Sequence, residues 1–333
     1  MANKMKSYVL LGGAGVFAVH TAKYLLEQSH VERVVCVGRN PRNLPAFTLD
    51  IGKGDPRYRY EQIHMVLEQD RLFELLDEEK PDIVINYAAL AYATSWEKSF
   101  RYYETNVVAV AKICEDLMKR DYLKRFLQIG TSELYGSNDE PVPESWPLNP
   151  TSPYAVSKMA ADLHLETLWA VKQFPMNIIR PSNAYGPGQY LYRILPKAVL
   201  SGLAGQKFPL HGGGSVRKSY IHARDLARAI YLICENAPFG KTYNAGSEEP
   251  CSMRYLVELV AEELGIPFEE FAEVTPGRVG EDAQYWLDSS LIKKDLGWEP
   301  EIDLRAGVRD MIEWGRHYLP QIQEAATEFT LRA

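Results

Sequence analysis

The sequence predicts an α/β protein: a doubly wound parallel sheet followed by a smaller C-terminal α/β lobe. Three observations lead there. Short, near-continuous apolar runs alternate with helical periods through the first 180 residues. Such runs read as strands buried on both faces, as in parallel sheets covered by crossover helices. A glycine-rich turn separates the first run from the first helix. After residue 180 the pattern loosens, punctuated by Pro181, Gly186-Pro187-Gly188, Pro196, Gly202, Gly205, Pro209 and Gly212-Gly213-Gly214.

The elements follow in order. Ser7-Tyr8-Val9-Leu10-Leu11 is a strand that ends in glycines, and Val16 to Gln28 has helical periodicity. Val34-Val35-Cys36-Val37, Asp82-Ile83-Val84-Ile85-Asn86 and Phe126-Leu127-Gln128-Ile129 are further strands, with helices near 68–79 and 101–120 between the last two and before them. Ile178-Ile179 follows the helix that begins at Tyr154. Right-handed crossovers then give a doubly wound sheet. Later helices are expected at Asp225 to Asn236, Met253 to Leu264 and Leu304 to His317. Residues 1–180 are expected to form the nucleotide-binding domain. Residues 181–320 form a substrate lobe interleaved with it, and 321–333 a tail that frays.

The 333 residues, 46% of them hydrophobic, suffice for a sizeable core. A net charge of -7 argues against a nucleic-acid surface. No apolar run is long enough to span a bilayer, and the polar lead Met1-Ala2-Asn3-Lys4-Met5-Lys6 is no secretory n-region. Cys36, Cys114, Cys234 and Cys251 are scattered without metal-ligand spacing and read as thiols in a reducing compartment. The expectation is a cytoplasmic protein with no membrane or metal role.

Two segments carry chemistry. Ser152-Pro153-Tyr154-Ala155-Val156-Ser157-Lys158 sets a phenol and an ammonium four residues apart at a helix start, on one face. The ammonium is expected to lower the phenol pKa, so that Tyr154 serves as a base near neutral pH. Upstream, Thr131-Ser132-Glu133 adds two hydroxyls and a carboxylate just past a strand end, where doubly wound folds bind ligands. The alternatives are an exposed helix pair for Tyr154 and Lys158, and a solvated loop carboxylate for Glu133.

The loop Leu11-Gly12-Gly13-Ala14-Gly15-Val16-Phe17-Ala18 lies between strand and helix. Its glycines let backbone N–H groups approach a diphosphate, and the helix N-terminus favours the negative charge. This is a Rossmann-type dinucleotide site, read as Gly12, Gly13, Ala14, Gly15, Val16 and Phe17. An NAD site has an acidic residue at the end of the second strand. Here the segment reads Val37-Gly38-Arg39-Asn40, so a guanidinium is available and a carboxylate is not. Arg39, with Asn40, suits the 2′-phosphate of NADP, and NAD remains the alternative.

Together these pieces resemble the nucleotide-sugar branch of the extended short-chain dehydrogenase/reductase superfamily, from about Tyr8 to Tyr318. The resemblance takes in the glycine loop, Asn86-Tyr87-Ala88-Ala89, Thr105-Asn106-Val107, Thr131-Ser132-Glu133-Leu134-Tyr135-Gly136, and Tyr154 with Lys158. It continues through Arg180-Pro181-Ser182-Asn183-Ala184-Tyr185-Gly186-Pro187, Ile221-His222-Ala223-Arg224-Asp225 and Leu296-Gly297-Trp298-Glu299-Pro300. The resemblance implies that Tyr154 takes a sugar hydroxyl proton, that Thr131 bonds the same hydroxyl, and that Lys158 holds the nicotinamide ribose. It puts Ala88 and Arg180 beside the cofactor, Asn183 on the substrate diphosphate and Arg278 as its clamp. Glu133 resembles the C5 base of nucleotide-sugar 4,6-dehydratases, with Ser132 where some relatives carry an aspartate. The string Thr-Ser-Glu-Leu-Tyr-Gly is similar to that of GDP-mannose 4,6-dehydratases, and UDP-glucuronate decarboxylases share it closely.

The implied activity is C4 oxidation, C5 deprotonation with loss of the C6 hydroxyl as water, and hydride return to C6. A nucleotide-sugar 4-epimerase, a decarboxylase, a reductase and a silent nucleotide-binding scaffold are the alternatives. Several positions depart from the pattern. His64 replaces a third-strand aspartate. Lys218 replaces an arginine, which shifts the diphosphate clamp toward Arg217. The segment around Tyr92 is altered, and Tyr92 and Trp96 stack on the sugar or belong to the core. Leu195, Phe208 and Leu210 are expected to line the base pocket. The resemblance also implies a homodimer through the helices near 101–120 and after Tyr154.

Overall fold

The structure is a computed structural model that describes residues 5–42, 44–91, 96, 98–247, 249–276 and 284–323. Its first half runs β1 (Lys6–Leu11), α1 (Val16–Leu26), β2 (Val31–Gly38), α2 (Pro45–Thr48), β3 (Tyr58–Gln62), α3 (Gln69–Glu79) and β4 (Ile83–Asn86). Next come α4 (Phe100–Tyr103), a π-helical turn (Glu104–Val108), α5 (Ala109–Leu117), β5 (Arg125–Ile129), α6 (Pro153–Lys172) and β6 (Met176–Pro181). The second half continues with β7 (Asn183–Tyr185), α7 (Ile194–Leu203), β8 (Phe208–His211), β9 (Arg217–Lys218), β10 (Tyr220–His222), α8 (Ala223–Asn236) and β11 (Thr242–Ala245). It closes with β12 (Cys251–Ser252), α9 (Met253–Leu264), α10 (Phe268–Phe271), β13 (Ala272–Thr275), β14 (Gln284–Tyr285), α11 (Ser290–Leu296) and α12 (Leu304–Gln323).

Seven of the described strands form one parallel sheet in the order β3-β2-β1-β4-β5-β6-β11. The strand order reverses between β1 and β4, which opens a crevice beyond their carboxyl ends. The register sets Leu11 beside Val37 and Asn86, and Asn86 beside Gln128. The loops that leave these residues therefore share one rim.

The apolar runs pack as expected of a doubly covered sheet. Tyr8, Leu10, Val34, Cys36 and Ile85 meet α1 and α8 on one face. Val9, Leu11, Val35, Val84 and Phe126 meet α3, α5 and α6 on the other. A third core, built from α7, α9 and α12, belongs to the second half. The halves interleave, because α8 lies beside α1 and β11 joins the sheet as an edge strand next to β6.

Two of the motifs quoted above turn out to hold each other. The Asp225 carboxylate accepts hydrogen bonds from the Glu301 and Ile302 amides at 3.0 Å each. Trp298 Nε1 donates to the Asp225 carbonyl at 3.0 Å. In this chain Asp225 and Trp298 are packing devices.

Four features differ from the sequence expectation. β3 (Tyr-Arg-Tyr-Glu-Gln) is a half-exposed edge strand, so it lacks the continuous apolar run that marks the inner strands. β11 is only four residues long. The helix expected over 101–120 is broken by the π turn. The final helix passes through Pro320 to Gln323 instead of fraying after it. There Ile322 is buried, and Gln321 Oε1 accepts a bond from the Ala46 amide at 3.2 Å.

Candidate active site

The glycine loop leaves β1 at Leu11 and enters α1 at Val16. Gly12 has φ +76°, and a Cβ there would stand 2.6 Å from the Ala88 amide nitrogen. Only glycine permits both the left-handed turn and this approach to the loop after β4. Gly15 caps α1 without a side-chain hydrogen bond, and no acidic residue lies in the first turn. The first amides of an eleven-residue helix are thus free to meet a diphosphate. Ala14 and Phe17 are half-buried beside that turn, while Val16 is buried and starts the helix packing. The residues present fit a dinucleotide.

Arg39 and Asn40 are exposed beyond β2. Their carbonyls are pinned by Gln62 Nε2 at 3.2 Å and the Tyr60 hydroxyl at 2.5 Å, so the turn is fixed while the Arg39 guanidinium faces outward. His64 lies close by. Its Nδ1 accepts from the Val66 and Leu67 amides, each at 3.3 Å, so the ring caps a turn. Burial, with the Arg39 charge second, holds the His64 pKa below the ordinary histidine value.

At the rim after β5, Thr131 Oγ1 accepts from the Glu133 amide at 3.3 Å and caps the short 3-10 turn Ser132–Tyr135. Across from it, Ser152 Oγ accepts from the Ala155 amide at 3.1 Å and Pro153 opens α6. Tyr154 therefore sits in the first turn and Lys158 one turn further on. Tyr154 shares a side-chain hydrogen bond with Thr131, and the Glu133 carboxylate is near enough to act on the phenol. Tyr102 packs edge-on against Tyr154, with ring centroids 6.4 Å apart. Thr131, Glu133 and Tyr154 thus meet at one point of the rim, with Ser132 on the same turn as Glu133 and Lys158 one helical turn beyond Tyr154.

One electrostatic expectation is overturned. The phenol of Tyr154 is not lowered toward neutrality. Burial, followed by the Glu133 charge, pushes its pKa above the ordinary value, against a smaller downward pull from Thr131. The Lys158 Nζ donates to the Ile129 carbonyl at 2.6 Å, and burial of the phenol outweighs the attraction of nearby positive charge. Burial drives the Lys158 pKa itself down to about 8, with Asp162 pulling it back up.

Other predicted residues separate. The Arg180 guanidinium is buried and committed to Asp162 and the Tyr135 hydroxyl, each at 3.0 Å, so it is a structural cation and not an open cofactor contact. Leu195, Phe208 and Leu210 lie inside the third core beside Phe271, because a lobe this small needs them as packing. Asn183 Nδ2 donates to the Ser219 carbonyl at 3.3 Å. Arg217 Nη2 donates to the Pro250 carbonyl at 2.9 Å, while Lys218, next along β9, faces the opposite way. Trp96 is exposed at 68%, not core. Tyr92 and Arg278 lie outside the described residues.

The expected site left out three residues, one of them Asn106 of the quoted motif Thr105-Asn106-Val107. Arg193, just before α7, acts electrostatically on both Tyr154 and Tyr220. A single arginine after two tyrosines gives no sequence signal. Asn106, in the π turn, exchanges bonds with both the amide (2.8 Å) and the carbonyl (3.0 Å) of Leu90 and donates to Ser157 Oγ at 2.9 Å. It ties the loop after β4 to α6 between Tyr154 and Lys158. Asp162 is the third. Its place four residues after Lys158 was the available signal.

A family model described as GDP-mannose 4,6 dehydratase matches residues 9–311. A dTDP-glucose 4,6-dehydratase of Neisseria gonorrhoeae is 29% identical over 340 residues, covering 93% of this chain and 95% of that protein. A trifunctional UDP-glucose 4,6-dehydratase/UDP-4-keto-6-deoxy-D-glucose 3,5-epimerase/UDP-4-keto-L-rhamnose-reductase of Arabidopsis thaliana is 25% identical over 93% of this chain. This chain spans about half of that protein's length, 47%. Among solved structures, the Streptomyces venezuelae dTDP-glucose 4,6-dehydratase with NAD bound superposes with a TM-score of 0.86 at 26% identity, over 95% of this chain and 98% of that one. A UDP-glucose 4-epimerase of Thermotoga maritima shares the fold, with a TM-score of 0.84 at 24% identity. With the family match running from β1 into α12 and the same sheet under the same rim, the chain belongs to the GDP-mannose 4,6-dehydratase family of nucleotide-sugar enzymes.

Proposed function

We propose that this protein is an NAD(P)-dependent nucleotide-diphosphate-sugar 4,6-dehydratase that yields a 4-keto-6-deoxy sugar nucleotide. The observation that carries this is the Glu133 carboxylate set against the Tyr154 phenol, with Thr131 bonded to the same phenol. A 4-epimerase needs one proton-transfer group at C4. A dehydratase needs a second at C5 and C6, and Glu133 is that second group. Tyr154, assisted by Thr131, takes the C4 hydroxyl proton in its ionised form, which the positive charge of a bound nicotinamide would favour against the effect of burial. Glu133 takes the C5 proton and gives it to the departing C6 hydroxyl, which leaves as water, and as C6 regains a hydride C5 takes a proton from solvent. The nicotinamide, when bound, supplies the hydride store. The deciding experiment follows product mass over a panel of nucleotide sugars. Loss of one water without net cofactor use is expected, and about a 10²–10⁴-fold fall in that turnover for Glu133→Gln. An unchanged mass with inverted C4 would make the protein an epimerase.

Four finer points belong to this reading. Exposed Arg39, with no carboxylate at the end of β2, supports NADP over NAD. Arg39→Ala should weaken NADP binding by about tenfold and leave NAD binding nearly unchanged in a fluorescence titration. The lobe from residue 181 onward takes the nucleotide sugar, and Arg193 and Arg217 supply cations for its diphosphate. Exposed Phe100, Tyr103 and Val108 beside exposed Leu163 and Val171 support a homodimer through α4, α5 and α6. A monomer in light scattering at micromolar concentration would remove that point. The four cysteines are free thiols, which supports assignment to the cytoplasm.

A further inference from the structure

Tyr154, Lys158 and Asp162 recur every four residues along α6, so they lie on one face of the helix. Lys158 and Asp162 are both buried, and Asp162 has no solvent exposure at all. One carboxylate oxygen of Asp162, Oδ2, holds Arg180 Nε at 3.0 Å. The other, Oδ1, is buried and makes no hydrogen bond among the described residues. A buried ammonium with only a carbonyl partner is costly unless a carboxylate balances it.

Arg180 and Asp162 form the close ion pair at this point. Arg180 Nη2 also stands 3.8 Å from the partly exposed Glu166 carboxylate. Glu166 adds a second, more distant carboxylate to Arg180, and the Asp162 charge acts on Lys158 as well as on Arg180. The ionisable groups that act on Asp162 are Tyr154, Lys158 and Glu166 on α6 and Arg180 on β6, and Tyr135, on the turn after β5, bonds Arg180 in turn.

The backbone is shaped for this arrangement. Gly130, between β5 and Thr131, crosses directly over the ion pair. A Cβ there would stand 2.9 Å from Arg180 Cγ and 3.4 Å from Asp162 Oδ2. The same strand end supplies the Ile129 carbonyl that Lys158 grips. The pair therefore underlies both the lysine and the turn that carries Thr131 and Glu133.

We propose that Asp162 is a positioning residue: a buried carboxylate, held by Arg180 and shared with Lys158, that keeps the Lys158 ammonium charged beneath the reacting rim. The inference rests on the reading of Tyr154 and Lys158 as the redox pair. Asp162 itself touches neither substrate nor cofactor. Its effect passes through Lys158.

The test is a lysine-selective NMR titration of the full protein, with no sugar nucleotide present and Lys158→Met to identify the resonance. In Asp162→Asn the Lys158 midpoint should fall by about 1 pH unit or more. The alkaline limb of turnover should move down with it. Glu166→Gln alters a partly exposed side chain. It should lower the same midpoint by a smaller step, because Arg180 then draws more of the Asp162 charge, and it serves if Asp162→Asn does not fold. An unchanged midpoint in both variants, or a loss of turnover uniform across pH, would overturn the proposal. Because the titration needs no substrate, failure of the dehydratase assay would remove the functional reading without altering this result.

Discussion

Lys158 is a cation held where water does not reach it, and the fold bears the cost. Its pKa drops from 10.5 to about 8 by burial, a preference for the neutral form of about 3 kcal/mol. The folded chain binds this proton less tightly than the unfolded chain. The lysine therefore burdens stability fully below pH 8, and the burden lifts as pH rises from 8 toward 10.5. Lys158→Met is expected to abolish turnover yet unfold at a higher temperature than wild type at pH 7, with the gap closing above pH 8. Calorimetry across that range checks it. An equal gap at every pH would refute it. The residues of this cluster were legible because helical spacing puts Tyr154 and Lys158 on one face and because Glu133 follows a strand end. The direction of the Tyr154 shift was not legible, since it depends on burial and on how closely Glu133 approaches across the rim. Leu195, Phe208 and Leu210 misled for a related reason: an apolar side chain has the same pattern in a pocket wall as in a core.

At the scale of elements, α1 serves two functions. Its N-terminus faces the glycine turn, and its C-terminal half packs on the sheet and on α8. His20, within it, bonds the Pro187 carbonyl through Nε2 at 2.9 Å and ties the helix to the loop after β7. Burial, only partly offset by that bond, lowers the His20 pKa to about 4. The unfolded chain thus binds the proton more tightly, and stability falls as pH drops from 6.5 toward 4. His20→Gln, which can still donate to Pro187, should flatten that decline by about 1–3 kcal/mol in denaturant titrations at the two ends of the range. The π turn carries the second element-scale expectation. Asn106→Ala would strand the amide and carbonyl of Leu90, a cost of about 1–3 kcal/mol per unpaired group, and would loosen α6 beside Lys158. Thermal unfolding and cofactor affinity should fall together. An affinity unchanged in a destabilised protein would separate the two roles. Inner strands and long helices were visible in the sequence because full burial and amphipathic periods leave strong patterns. The π turn and the edge strands β3 and β11 were not, since each is short or half-exposed.

At the scale of the whole molecule, alternation of strands and helices was enough to predict the parallel sheet, and the glycine loop was enough to place the crevice. The return of the last helix was not foreseeable, because its partners lie at the other end of the chain. Trp314 Nε1 donates to the Ala46 carbonyl at 2.7 Å across 268 residues of sequence, and the Tyr318 hydroxyl donates to Asp50 at 3.0 Å. Trp314→Phe keeps the packing but leaves a buried carbonyl unpaired. It should cost about 1–3 kcal/mol and speed cofactor loss, read by unfolding and by dilution of the loaded protein. A destabilised protein that keeps its cofactor as long as wild type would confine the contact to folding. The arrangement also has a consequence for biogenesis. α12 leaves a ribosome after every other element described above, and it latches the stretch just beyond the Arg39 turn. A nascent chain can build its inner strands early, but the stretch from Ala46 to Asp50 gains these partners only once α12 has been made.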